Sequence, residues 1–405
     1  MRRIILAILS ILPYLQVYPQ DISNWRGPNR NGIYNETGTL KKWPDSGPKL
    51  LWHFNGLGEG HTSAAVTAEG VYTTGMMGGK GYVFAFNHNG KLLWRTEYGP
   101  EWTMNYEGTR STPHIVGDRL YLMSGQGKLV SMDRNNGMII WSVDLVKEYG
   151  ARNITYGMTE NLLSDDNILY CTPGGVNAGM IALDRNTGKL VWKCSINGER
   201  SAYCSPIIIK IGQNKIIFNI LENSICAINA ATGSLLWTHK FENTYSVHPN
   251  TPFYNNGMLF CTAELGVGSM MLRISDDGSS ATEVWTSQEL DPVCGGAVVL
   301  NGRIYGTGYS DNKLTCIDWY TGREVYAVRT LAPGCIIAND GLLYVYSERG
   351  KLGLIEPGPS GFNIISTFDI PMGSGPHWAH PVIHNKRLYI RHENALMVYD
   401  IAISH

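Results

Sequence analysis

One sentence of sequence recurs along this chain. Asp184 leads through Thr187-Gly188 to Trp192, in a strand, a tight turn and a second strand. Asn87, Asp133 and Asn229 lead likewise to Gly90 and Trp94, Gly137 and Trp141, and Gly233 and Trp237. Ser275 leads to Gly278 and Trp285, and Asp318 to Gly322 and Tyr326. Glu356-Gly361-Phe368 is the most eroded copy, and Asp400 begins a copy that stops before its turn. The eight starts lie on average about 45 residues apart, the period of a four-stranded propeller blade. Asp or Asn can bond its own backbone two residues on, and Gly takes a positive φ without steric cost. The aromatic is expected to pack between neighbouring blades.

Blades begin near Ala64, Ser111, Thr159, Ser205, Thr251, Ala297, Ile336 and His380. Each second strand ends in an aromatic: Tyr72, Tyr121, Tyr170, Phe218, Phe260, Tyr305, Tyr344 or Tyr389. The last copy has three strands and no outer one, whereas Leu50-Leu51-Trp52-His53-Phe54 is an outer strand with no inner ones. The two fragments complete each other, which predicts a closed ring without free edges. The expected fold is all-β: an eight-bladed propeller of four-stranded antiparallel blades over residues 48–405. Helix is expected only as one turn near Asp144 to Tyr149.

Arg2 and Arg3 precede the apolar run Ile4 to Leu12, and a polar exit follows at Gln20-Asp21. Residues 1–20 therefore read as a signal peptide, too short for a membrane span, which predicts a periplasmic or secreted protein. No cysteine lies near the cleavage region, so no lipid anchor is expected there. Residues 21–47, with Trp25, Arg26 and Trp43, read as an ordered arm across the propeller. A formal charge of -1 gives no footprint for nucleic acid. The eight cysteines include no adjacent pair and no Cys-x-x-Cys; zero or one disulfide is expected.

The stretches before the first strands are unusually polar, and in a propeller they converge around a central funnel. They supply a candidate binding set of Glu59, His61, Arg110, Glu160, Arg200, Tyr203, His248, Asn250, Trp378 and His380. Arg110 and Arg200 could clamp a carboxylate or phosphate, and Tyr203, Tyr106, Trp102 or Trp378 could stack on a sugar ring. Glu160, Tyr203 and His248 are the candidate acid–base groups of a sugar-directed lyase, hydrolase or oxidoreductase. The structural alternative for Arg110, Glu160 and Arg200 is a ring of salt bridges. No metal site is expected, since His61, His248 and His380 come from the first, fifth and eighth blades and a site needs three or four converging ligands. Cys204 reads as a packed small residue.

The Ala-x-Asp…Thr-Gly-x-x-x-Trp repeat, as at Ala182 to Trp192, resembles the pyrroloquinoline-quinone (PQQ) type propeller repeat over nearly all of residues 50–403. The leading Trp25-Arg-Gly-Pro-Asn-Arg-Asn-Gly32 resembles the start of a bacterial subfamily of exported, quinoprotein-like propellers. More distantly, the chain is similar to the propeller lipoprotein of outer-membrane protein assembly, which works by protein contact. The quinone-dependent alcohol dehydrogenases of the wider group use adjacent bonded cysteines, a calcium set of Glu, Asn and Asp, and a glycine signature for tryptophan docking. This chain lacks the first two and keeps the third poorly, so neither PQQ nor any other cofactor is expected. The reading is a non-catalytic binding or scaffold propeller, monomeric, with no membrane span. Its expected ligand is a carbohydrate or small organic anion, or else a protein partner. A sugar-directed enzyme is the alternative, and a PQQ-dependent dehydrogenase a third.

Overall fold

The computed structural model describes residues 22–292 and 296–403. The leader expected at 1–20 lies outside the described residues, as does Cys294. Eight sheets stand in a ring, and in seven of them four antiparallel blade strands run in sequence order from inner to outer. In blade 3 the strands are Leu163–Asp165, Ile168–Cys171, Met180–Asp184 and Leu190–Cys194. Blade 8 is closed by β3 (Lys49–Phe54), which pairs Lys49 with Asp400 and Phe54 with Leu396. The one helix among the described residues is α1 (Leu145–Tyr149), capped by the Asp144 side chain, which accepts from Lys147 N.

The register shows why the repeat has its spelling. Tyr170 lies opposite Ala182, which lies opposite Trp192; Phe218, Ala227 and Trp237 make the same row in blade 4. A small central residue leaves room for the two rings, 5.8 Å apart in blade 3. The second-strand aromatics are internal rather than terminal: their strands run on, from Tyr72 to Met77 for example, through residues that are buried as far as Met76. Each Asx oxygen accepts from the amide two residues on, as from Asn135 to Asp133 at 2.7 Å. Six Trp indoles, those of Trp52, Trp94, Trp141, Trp192, Trp237 and Trp285, donate to a backbone carbonyl of the following blade at 3.0–3.1 Å. Tyr326 does so through its hydroxyl, to Gly358 at 2.6 Å. Gly233 has φ 73°, and a Cβ there would lie 2.6 Å from the Trp192 ring of the preceding blade. Tryptophan docking onto turn glycines is therefore well kept, contrary to the expectation. The spacing from Asx to Gly drifts, but the contact survives because it uses the ring face and one carbonyl.

The arm does more than lie across the ring. β1 (Ile22–Ser23) pairs antiparallel with the inner strand of blade 2, and β2 (Ile33–Tyr34) pairs parallel with that of blade 7. All inner strands run the same way along the axis. The segment between β1 and β2 thus enters the central channel and returns to the same end, the end of the Asx turns. Inside, Arg26 donates to Ala297 O at 2.8 Å, and Arg30 to the carbonyls of Leu162 at 2.9 Å and Asn161 at 2.6 Å. Further on, Trp43 is 1% exposed, 5.6 Å from Tyr344 and 5.7 Å from Phe368. That is the ring contact the outer-strand Trp makes in other blades, so the arm supplies the tryptophan that blade 7 lacks. The seven described cysteines are all buried and form no disulfide with one another.

Candidate functional site

The loops that lead into the inner strands, and the turns between second and third strands, all lie at the end of the ring opposite the Asx turns. We call this end the loop face. Its local conformations are unlike the repeat: Tyr106 (φ 54°) and Tyr203 (φ 71°) take left-handed backbone that bulky residues rarely adopt. Their rings belong to a line of contacts. His61 meets Trp378 at 4.9 Å, Trp378 meets Tyr106 at 4.9 Å, and Tyr106 and Tyr203 each lie 5.9 Å from Tyr156. Tyr156 N donates to the Tyr203 hydroxyl at 3.2 Å. Sequence reasoning missed Tyr156; its place in a polar stretch before a blade, beside Thr155 and Gly157, was the available signal.

Beneath this line the expected binding residues are largely engaged with the protein itself. Arg200 forks onto Glu222, with Nη2 2.5 Å and Nε 3.1 Å from Oε1. That bond, ahead of any desolvation, holds the Glu222 carboxyl down at about 2. Ser246 Oγ donates to Glu222 at 3.1 Å, and His248 Nε2 lies 3.3 Å from its carbonyl oxygen. Glu222 was not anticipated, because it sits in a turn between second and third strands rather than before a first strand. Arg110 folds onto its own loop and donates to the carbonyls of Asn105 and Tyr106. Asn250 is buried and donates to Pro292 O at 2.7 Å. His380 is buried and lies edge-on to Trp25, 5.2 Å away. Glu59 is exposed, its backbone bridged to Met76.

The three acid–base candidates are not brought together. Glu160 is 3% exposed, and Oε2 accepts from Thr172 N at 2.7 Å. Burial pushes its carboxyl up to about 8, partly offset by Thr172 and by Arg30 in the channel. Tyr203 is pushed up to about 12 by burial. His248 is wholly buried, packed on Phe241, and burial pushes it down to about 4. No hydrogen bond joins any two of the three among the described residues. Burial pushes the Cys204 thiol up to about 12, which suits an inert core residue.

A buried cation escaped the sequence reading altogether. Arg391 is 1% exposed and donates to Thr62, to Thr73 at 3.3 Å, to the Thr74 carbonyl, and to Glu393 O at 2.8 Å. Its position in Leu388-Tyr-Ile-Arg391 puts it on the face of Tyr389, so strand alternation was the signal. His61 contacts Glu393 at 3.3 Å. Burial first, then the charges of Arg110 and Arg391, push His61 down to about 3, while burial pushes Glu393 up. Burial thus disfavours the charged form of both partners in this contact. Grooves of about 330 and 350 Å³ lie elsewhere, between blades 3 and 4 beside Trp192 and between blades 7 and 8 beside Phe368.

The docked Asx–Gly–Trp blades define the quinoprotein-like class of propellers. Within it the chain belongs to the PQQ-like, BamB-type family: the family model described as "Outer membrane protein assembly factor BamB" matches residues 33–172, 79–244 and 177–291. A BamB of Moranella endobia is 22% identical over 259 residues, 60% of this chain and 63% of that protein. The chain covers between 42% and 63% of the length of the first curated relatives it matches. The crystal structure of BamB from Moraxella catarrhalis superposes with a TM-score of 0.62 at 16% identity, covering 88% of this chain and 98% of that one. Quinohemoprotein alcohol dehydrogenase from Comamonas testosteroni gives 0.64 at 10% identity, over 93% and 79%. At these identities the structures show the shared fold alone. Trp25, Arg26 and Arg30 occupy the axial space. Among the described residues, no three His, Cys, Asp or Glu side chains converge on a metal position.

Proposed function

We propose that this chain is an exported, non-catalytic binding propeller that docks a partner protein on its loop face. The observation that carries the reading is the distribution of exposed large apolar side chains there. Met104 (60% exposed), Tyr106 (56%), Val176 (67%), Tyr245 (65%), Leu265 (40%) and Tyr309 (43%) all stand on loops of this one end. Other exposed apolar side chains, Tyr320 and Met138 among them, stand on Asx turns and outer strands, but these six share the loops of one end, and exposed apolar groups that share a surface mark interaction sites. Membership of a family described by an outer-membrane protein assembly factor supports both a protein partner and a periplasmic or secreted location. The anion clamp expected of Arg110 and Arg200 has less support, since both guanidiniums are engaged within the protein. An enzyme using Glu160, Tyr203 and His248 has less support still, because all three are buried and separately bonded.

A second reading, a carbohydrate partner, is favoured by the line from Trp378 through Tyr106 and Tyr156 to Tyr203, since sugar rings stack on aromatic faces. One experiment separates the two. A photo-crosslinking amino acid is placed at Tyr106 or Tyr245, with Val284 on the outer rim as control, in cells expressing the full chain, and the purified protein is screened on a glycan array. A discrete protein adduct at Tyr106 and Tyr245 but not at Val284 is expected. Glycan binding lost in Tyr106→Ala would favour the second reading. No adduct and no glycan would overturn both.

A further inference from the structure

The Gly-rich loop Pro371-Met-Gly-Ser-Gly-Pro-His-Trp378 leads into blade 8 and carries Trp378 to the loop face. His392, 7% exposed at the end of the second strand of blade 8, lies under this loop. Nδ1 is 2.7 Å from Met372 O, and Nε2 is 2.9 Å from Gly375 O. Both partners are carbonyl oxygens, which only accept. A neutral imidazole has one N–H, so it can satisfy one carbonyl and must set a lone pair against the other. Turning the ring over does not help, because it substitutes a C–H for an N–H. Two donors require the imidazolium. The loop fits closely over the ring: Gly373 has φ 97°, and a Cβ there would lie 2.6 Å from the imidazole.

We propose that His392 is a proton-operated latch, holding the loop at both ring nitrogens when doubly protonated and releasing one of the two carbonyls when it loses a proton. The groups around it suit a single charge. His377, on the loop, stacks on His392 at 3.6 Å and 19° and bonds to the Tyr346 hydroxyl at 2.6 Å. Burial and the charge of His392 push His377 down to about 4, so the stacked pair holds one cation. From its own strand and turn come Arg391 and Glu393, the latter feeling the His392 charge. The loop passes on to Trp378, whose carbonyl is met by Cys335 Sγ at 3.1 Å and whose indole is bonded by Glu348. Release at His392 thus loosens the segment that sets Trp378 against His61 and Tyr106. The effect on docking rests on the binding role proposed above for the loop face; the latch itself does not.

The test uses the full chain without any partner. Nitrogen-15 shifts of labelled histidine, assigned with His392→Gln, report the protonation of each ring nitrogen, and hydrogen exchange reports the amides of residues 372–378. The expected result is a doubly protonated His392 whenever the loop is held. Loop exchange, corrected for intrinsic rate, should rise about tenfold as that proton is lost. In His392→Gln the exchange should be fast and no longer follow pH. Should His392→Gln fail to fold, His377→Phe keeps the stack, removes the other titrating ring and should leave the wild-type pattern. A singly protonated His392 throughout the folded range, or loop exchange indifferent to its protonation, overturns the latch. Either result is obtained whether or not a partner for the loop face exists.

Discussion

At the Asx-turn end of the ring, blade after blade makes one bond: an indole from one blade to a carbonyl of the next. At the loop end a shared bond survives only beneath the surface, where the amides of Ser63, Thr112 and Asn161 each donate to a side chain of the next blade, and the charged groups differ from blade to blade. Arg200 is neutralised by Glu222, Arg391 is held by hydroxyls and carbonyls that accept its hydrogen bonds, and Glu160 and His248 are pushed by burial toward their uncharged forms. The first end spends its residues on fixing neighbours in place, and a side chain there is interchangeable with its counterpart. The second holds groups whose state depends on a particular surrounding, which is what a binding surface requires and a repeat cannot supply.

The sharpest way to break this contrast is to test interchangeability. Trp192→Ala should lose about 3–5 kcal/mol of stability, as expected for a buried aromatic. Trp43→Ala should lose a similar amount, although Trp43 lies outside every blade, since it fills the blade 7 slot. Urea midpoints would measure both, and a Trp43→Ala protein as stable as wild type would sink the equivalence. Next in size is Arg30→Met, expected to cost about 2–3 kcal/mol by taking a charged donor from two buried carbonyls.

Acid and base should act on the loop end through its uncharged groups. His61 and His114 near 3 and His248 near 4 stay neutral in the fold. Their stabilisation is complete above the ordinary histidine value and is lost as pH falls toward those figures, because the unfolded chain binds the extra protons. Glu160 and Glu264, both near 8, do the reverse: their stabilisation is present below the ordinary carboxyl value and lost as pH rises to 8. His377, near 4, adds to the rising side and Glu101, near 7, to the falling side, so between the ordinary carboxyl and histidine values the two sets oppose one another, and above that only the falling ones remain. Stability should therefore be greatest between the ordinary carboxyl and histidine values and fall on either side, with each group moving it by at most about 1.4 kcal/mol per pH unit. Thermal midpoints across pH would show the peak, and Glu160→Gln should flatten its alkaline side.

The same contrast explains what could be read from the sequence. Asp184 to Trp192 and its counterparts gave blade number, strand order and ring closure, because each signal is local and repeated eight times in phase. The arm's path was hidden: β1 and β2 are two residues long and pair with strands about a hundred and three hundred positions away. Glu222 and Tyr156 lay at positions a propeller permits to vary, so no period singled them out. Glu160 and His248 were found as polar residues at the right height, but the sequence does not tell a side chain aimed at solvent from one folded inward.

Strand β3 pairs with Ala395–Asp400, near the other end of the chain. Synthesis runs from the amino end, so β3 and the arm emerge first and wait while seven and three-quarter blades are made. Until then blade 8 has no outer strand, and the inner edges of blades 2 and 7 lack their last partners. Ring closure is therefore also a timer. It comes after almost every other contact, it joins the most distant parts of the chain, and it should be the slow step of maturation. During that interval the exported chain is most exposed to proteases and to pairing with the wrong neighbour.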